Sequence, residues 1–144
     1  MRANKAIART GFTLVELAVV IVIIGVLAAF AVPRFRASVE RSKAAESFNY
    51  LASVQAAQER YHARQSTYAT NVADLDIQMT TPKYFTVPEV FTAGTTGDLE
   101  DSWTLTLTRT GATAGYGEYT VTFTETGFDA TASDIIADIN PMGT

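Results

Sequence analysis

The sequence predicts an α+β protein in which one long N-terminal helix, apolar in its first half and amphipathic in its second, packs on a small antiparallel β-sheet head. Three observations carry this. A nearly unbroken apolar run extends from Phe12 to Val32. Good helix formers follow to Arg64, and neither glycine nor proline occurs between Pro33 and Pro82. Near the C-terminus, Trp103, Leu105 and Leu107 alternate with Thr104, Thr106 and Thr108, and Tyr119, Val121 and Phe123 with Thr120, Thr122 and Thr124. That period of two marks half-buried strands.

The N-terminal element begins with Arg2, Lys5 and Arg9, without an acid, ahead of Gly11. From Phe12 to Val32 a helix rising about 1.5 Å per residue spans roughly 30 Å, the thickness of a bilayer's hydrocarbon core. The leading bases favour a cytoplasmic N-terminus, against the opposing pull of Arg34, Arg36, Arg41 and Lys43 beyond the run. A secretory signal peptide with Ala29-Phe30-Ala31 as its cleavage site, a plain membrane anchor and a buried core helix are the competing readings. Glu16 counts against the first two, and a buried core helix is rarely apolar all round for this long. A charged carboxylate near the centre of a membrane helix costs about 2.5 to 3.5 kcal/mol, less near its end, and neither a signal peptide nor a plain anchor gains by keeping it.

The run G-F-T-L-V-E at Gly11 to Glu16, behind a short basic leader and opening an apolar helix, resembles the class III signal of type IV pilins. The resemblance implies the pilin fold. It also implies that prepilin peptidase cuts after Gly11 at the cytoplasmic membrane face and that the new N-terminal residue, Phe12, is N-methylated. Glu16 then becomes the fifth mature residue, where the family keeps its glutamate. The scissile bond beside Gly11 is unshielded by a side chain. Cleavage creates an ammonium at Phe12, and an ammonium and a carboxylate among apolar helices should pair, since each alone is costly to desolvate. Gly25 and Pro33 fall where many family members carry a glycine and a helix-bending proline. Between them the helix is expected to be intact in the membrane and locally unwound in the filament.

The expected organisation is a leader at 1–11, a membrane-spanning and filament-core helix at 12–33, and the amphipathic helix with its head at 34–144. In the second half of the helix, Phe35, Val39, Phe48, Leu51, Val54 and Tyr61 recur at helical spacing as a stripe for the head. The basic residues among them face solvent or the acidic part of a neighbouring head. From Gln65 to Leu99 the periodicity fails, and Tyr68 to Ile77 resembles the segment that follows the long helix in many pilins, packing Tyr68, Leu75 and Ile77 onto the head. Tyr84 to Phe91 reads as an edge strand because of Pro88. Gly111, Gly115 and Gly117 furnish the turn between the two main strands, and Gly127 turns the chain into a third strand at Phe128 to Ala132. The threonine rows read as the solvated face of the sheet.

Composition excludes other functions. The net charge of −4 is unevenly spread, with bases in excess from Arg34 to Arg64 and Arg109 the lone base beyond Leu99. This is no nucleic-acid footprint. The chain has no cysteine, hence no thiolate metal site, and the disulfide-closed C-terminal loop of many pilins is absent. His62 is the only histidine, read as exposed, and no catalytic constellation emerges. Asp98, Glu100 and Asp101, and Asp134 with Asp138, offer oxygens to calcium, yet no ligand-rich loop is recognisable. No metal or other cofactor is expected.

The resemblance therefore implies a structural subunit of a bacterial type IV pilus rather than an enzyme. Its partners would be other copies of itself in a helical filament, prepilin peptidase, and the inner membrane with its pilus assembly machinery. The chain would lie in the inner membrane with its N-terminus cytoplasmic before assembly, and in the extracellular filament after it. A pseudopilin of a type II secretion system is the alternative within the family. A secreted binding domain cut after Ala31 is the alternative of another class.

Overall fold

A computed structural model describes residues 11–143. Residues 1–10 of the expected leader lie outside them. Helix α1 runs Leu14–Gln65 and carries Pro33 within it, while the chain divides into two compact units between Phe35 and Arg36.

In the first unit every side chain of α1 is exposed. The helix there is long and apolar enough to cross a membrane. A helix apolar on all sides needs an apolar surrounding, and this unit supplies none of its own.

In the second unit α1 buries one stripe, comprising Glu40, Ala44, Ser47, Phe48, Tyr50, Leu51, Val54, Ala57 and Gln58. The expected stripe needs one correction. Phe35 is 70% exposed, because it precedes the first residue of the helix that the head covers. Val39 and Tyr61 are half-buried. The helix ends where Ser66 adopts a positive φ of 58° and its N–H bonds the His62 carbonyl at 2.8 Å. This left-handed termination usually falls to glycine.

The sheet is antiparallel and centred on β3 (Trp103–Arg109). Strands β1 (Phe85–Thr86) and β2 (Thr92–Ala93) both pair with β3, β4 (Thr120–Thr124) pairs along its full length, and β5 (Gly127–Phe128) follows β4. Leu105 lies opposite Phe123, and Leu107 opposite Val121. These inward residues meet the helix stripe, with Phe48 edge-on to Phe123 at 5.8 Å between centroids. Pro88 sits in the loop between the two short strands, so Tyr84 to Phe91 contributes an interrupted edge.

Gln58 secures the connection after α1. Its buried side chain donates from Nε2 to the Ala69 carbonyl at 3.2 Å and accepts the Ala69 N–H at 2.8 Å, so both buried peptide groups are satisfied. Tyr68 and Leu75 are buried and Ile77 packs beside them. His62 is half-buried rather than exposed: it stacks on Tyr68 at 4.4 Å and its Nε2 lies 3.1 Å from the Glu100 carbonyl.

Two expectations for the C-terminal third are corrected. The third strand stops at Phe128, since the Asp129 carboxylate takes the N–H groups of Thr131 and Ala132 and the Thr131 hydroxyl, bending the chain. The threonine row of β4 is not solvated. The returning chain lies against it, with the Thr122 hydroxyl donating to the Ala132 carbonyl at 3.0 Å, Ser133 Oγ accepting the Thr122 N–H at 2.9 Å and Thr120 Oγ1 accepting the Asp134 N–H at 3.1 Å. Thr122 is consequently buried, and Thr124 is buried beside Thr126 and Gly127, to which its hydroxyl bonds, whereas Thr104, Thr106 and Thr108 on β3 stay half-open. Ile139 anchors the end of the segment in the core at 1% exposure.

Candidate functional site

The residues singled out at the N-terminus lie together at the start of α1. Gly11 has no atom within 4 Å of where a Cβ would stand, and Phe12 is 79% exposed. Nothing among the described residues shields the peptide bond between them.

Thr13 and Glu16 form a reciprocal cap. The Thr13 N–H and hydroxyl donate to Glu16 Oε2 at 2.9 and 2.8 Å, and Thr13 Oγ1 accepts the Glu16 N–H at 3.2 Å. This is the capping box T-x-x-E, satisfying donors that a helix start otherwise leaves unpaired. The threonine and glutamate three residues apart carry this signal in the sequence, although the membrane cost of Glu16 does not reveal it. Glu16 therefore has a local task through Oε2. Its Oε1 is engaged by no hydrogen bond among the described residues, which leaves it available to a cation.

Further along, Gly25 is exposed with open space around it, and the helix runs unbroken through Gly25 and Pro33 in the isolated chain. Pro33 cannot donate an N–H to the Ala29 carbonyl, a defect of about 3 kcal/mol in a helix interior.

A second constellation was missed from sequence. Glu40 of α1 is wholly buried and receives Arg109 Nε at 2.6 Å and Nη2 at 3.2 Å, the Tyr119 hydroxyl at 3.1 Å and Lys43 Nζ at 3.3 Å. The guanidinium also donates to the carbonyls of Tyr84, Thr110 and Ala112. Burial alone would raise the Glu40 carboxyl, but these donors and the Arg109 charge outweigh it and hold it below the usual carboxylate range. Burial, followed by the charge of Glu40, pushes the Tyr119 phenol far up, so it stays a donor. One signal for this cluster was available. Extending the alternation Trp103, Leu105, Leu107 by one step puts Arg109 on the core face, where a base needs a buried acid. The cluster ties helix to sheet and is closed to any substrate.

Among the described residues no group of three histidine or carboxylate side chains is placed to hold a metal ion.

Residues 8–32 match the prokaryotic N-terminal methylation motif. Over 124 residues the chain is 35% identical to the fimbrial protein EcpC of Eikenella corrodens, covering 85% of this chain and 78% of that one. It is 34% identical over 74 residues to type II secretion system core protein G of Vibrio cholerae, 51% of each chain. With the type IV major pilin protein PilA of Myxococcus xanthus it shares 41% identity over 59 residues, 41% of this chain and 27% of the other.

Proposed function

The chain belongs to the type IV pilin family, and we propose that it is made as a precursor, cut between Gly11 and Phe12 by prepilin peptidase, methylated at Phe12 and built into a filament of identical subunits. It serves as a structural subunit, and no residue of it is assigned a catalytic role. The observation that supports this best is the geometry at the start of α1. An open Gly11–Phe12 bond precedes a capped helix whose first stretch, as far as Phe35, exposes every apolar side chain, and Glu16 keeps one carboxylate oxygen free for the ammonium that cleavage would create.

Before assembly the segment from Phe12 to Pro33 holds the subunit in the inner membrane with its N-terminus cytoplasmic. The assembly machinery then moves it into an extracellular filament, where neighbouring helices replace lipid around the same apolar surface. A pilus is favoured over a type II secretion pseudopilus because the relative named as a fimbrial protein aligns with 85% of the chain and the secretion protein with 51%.

The intact mass of subunits sheared from the cell surface tests the reading. Residues 12–144 plus one methyl group are expected, and Gly11→Val should leave leader-bearing protein in the membrane. A mass starting at Val32 would show conventional signal cleavage and sink the proposal.

A further inference from the structure

The head carries an acidic groove, and the helix carries an exposed basic aromatic segment that matches it. The groove, about 650 Å³, is walled by α1 at Tyr50, the 3₁₀ turn Val72–Asp74 and the loop joining β1 to β2. The Val72 N–H donates to the Glu89 carbonyl at 2.8 Å, tying the turn to the loop. Tyr50, Val72, Val87 and Pro88 supply apolar surface, Asp74 and Glu89 are exposed carboxylates, and no basic residue lines it.

On α1, Arg34, Phe35 and Arg36 are all exposed. The other four arginines of the described residues, Arg41, Arg60, Arg64 and Arg109, each make a hydrogen bond. Lys43 is bonded to Glu40, and Lys83 lies over the Tyr84 ring. Arg34 and Arg36 alone have no partner among the described residues. Successive helical residues are about 100° apart, so Arg34 and Arg36 leave α1 on either side of the direction in which Phe35 projects, and their long side chains can reach groups that lie to both sides of it. An aromatic ring between two cations complements an apolar floor beside two anions, and arginine and aromatic residues are the usual anchors of such contacts.

We propose that this groove is a subunit contact, occupied by the Arg34–Phe35–Arg36 segment of a second copy of the chain. The inference rests on the filament reading given above and adds the partner surface to it. Phe35 enters the apolar part of the groove, while Arg34 and Arg36 meet Asp74 and Glu89. Charge pairing at the rim chooses the register between copies and rejects others by like-charge contact. The two arginines sit just beyond the apolar run, so lipid phosphate is the competing partner.

The test uses the full chain as the only pilin in a cell with an assembly machinery, comparing sheared filament with subunit left in the membrane. Arg34→Glu with Arg36→Glu should lower filament yield on the order of tenfold, with processed subunit retained in the membrane. Asp74→Lys with Glu89→Lys should do the same, and combining all four should restore filaments. Normal assembly by the Asp74→Lys, Glu89→Lys variant, or failure of the combination to restore it, overturns the proposal. A fall in the membrane-held pool on reversing the arginines, unrescued by the second pair, assigns them to lipid and also overturns it. Because the chain has no cysteine of its own, Arg36→Cys with Glu89→Cys gives an independent check. Filaments should yield a ladder of disulfide-linked subunits on oxidation, and assembled filaments without one refute the contact. Wild-type chain that is processed but forms no filament would count against the assembly reading itself.

Discussion

Glu40 and Arg109, 69 residues apart in sequence, meet in the head as an ion pair of 2.6 Å whose two side chains are wholly excluded from solvent. Taking either charge from water costs several kcal/mol, and the Coulomb gain offsets this only when the remaining donors and acceptors are also satisfied. Here they are, by Tyr119, Lys43 and three backbone carbonyls. We expect the pair to matter more for the choice of one docking register between α1 and β3 than for net stability.

Breaking the pair on one side should cost more than removing both partners. Arg109→Met, which strands a buried carboxylate, is expected to destabilise the head by about 3 to 5 kcal/mol, whereas Glu40→Leu with Arg109→Met should lose distinctly less. Denaturant unfolding of the full chain in detergent, followed by tryptophan fluorescence from buried Trp103, measures both. A double variant no more stable than Arg109→Met would mean that the charge pairing is not what the single change disturbs.

Glu40 also gives the head an acid limit. Its folded carboxyl lies below the ordinary value of 4.5, so as pH falls the unfolded chain takes up the proton first, and this stability is lost through the folded value. The contribution is fully present above about pH 4.5. Asp76 and Asp129 are shifted in the same direction, by Arg60 and by Thr131 respectively, so part of the acid loss persists without Glu40. Stability of Glu40→Gln should fall less steeply below pH 4.5 than that of the wild type, and equal slopes would contradict this assignment.

Two substitutions at Glu16 separate its roles. Glutamine can complete the capping box with Thr13 but carries no charge, while leucine does neither. Glu16→Gln should therefore preserve helix content in lipid vesicles, read by circular dichroism, and still fail to assemble. Glu16→Leu should insert more favourably in the membrane, fray at the first turn and fail likewise. Normal filament yield from Glu16→Gln would remove the ammonium pairing from the mechanism and leave only the cap.

Gly25 and Pro33 bracket a weak stretch of α1, costing about 1 and 3 kcal/mol relative to a good helix former. Lipid holds such a helix intact, since unpaired backbone groups there cost several kcal/mol each. In the filament we expect local unwinding, about six residues going from 1.5 to roughly 3.3 Å of rise and lengthening the subunit on the order of 10 Å. Gly25→Ala with Pro33→Leu should keep the helix closed and give a stiffer filament under force. A wild-type filament reconstruction with unbroken helical hydrogen bonds from Gly25 to Ala31 would end this idea.

Much of the N-terminal site was legible because its parts are neighbours in the chain. The capping partners Thr13 and Glu16, the bond beside Gly11, and the defects at Gly25 and Pro33 all follow from local covalent chemistry and helical spacing. The two long strands were legible for a similar reason, as alternation records which face of one strand is buried. Their flanks were harder to place. Phe35 has the spacing of a core residue, but nothing in that spacing says where along the helix the head begins. The threonine row of β4 reads as solvated until the segment from Asp129 to Asp134 is seen lying over it.

By itself, then, the sequence determined the membrane-compatible helix, the helix-then-sheet order and the apolar faces, because these depend on side-chain type at fixed short intervals. Tertiary structure alone decided that Arg109 is answered by Glu40, that Gln58 holds Ala69, and that Tyr50, Asp74 and Glu89 share one groove. Such pairings depend on the angle and register at which distant elements dock. That choice is made by the summed burial of many apolar contacts and the need to satisfy each buried polar group, and no short interval of sequence records it.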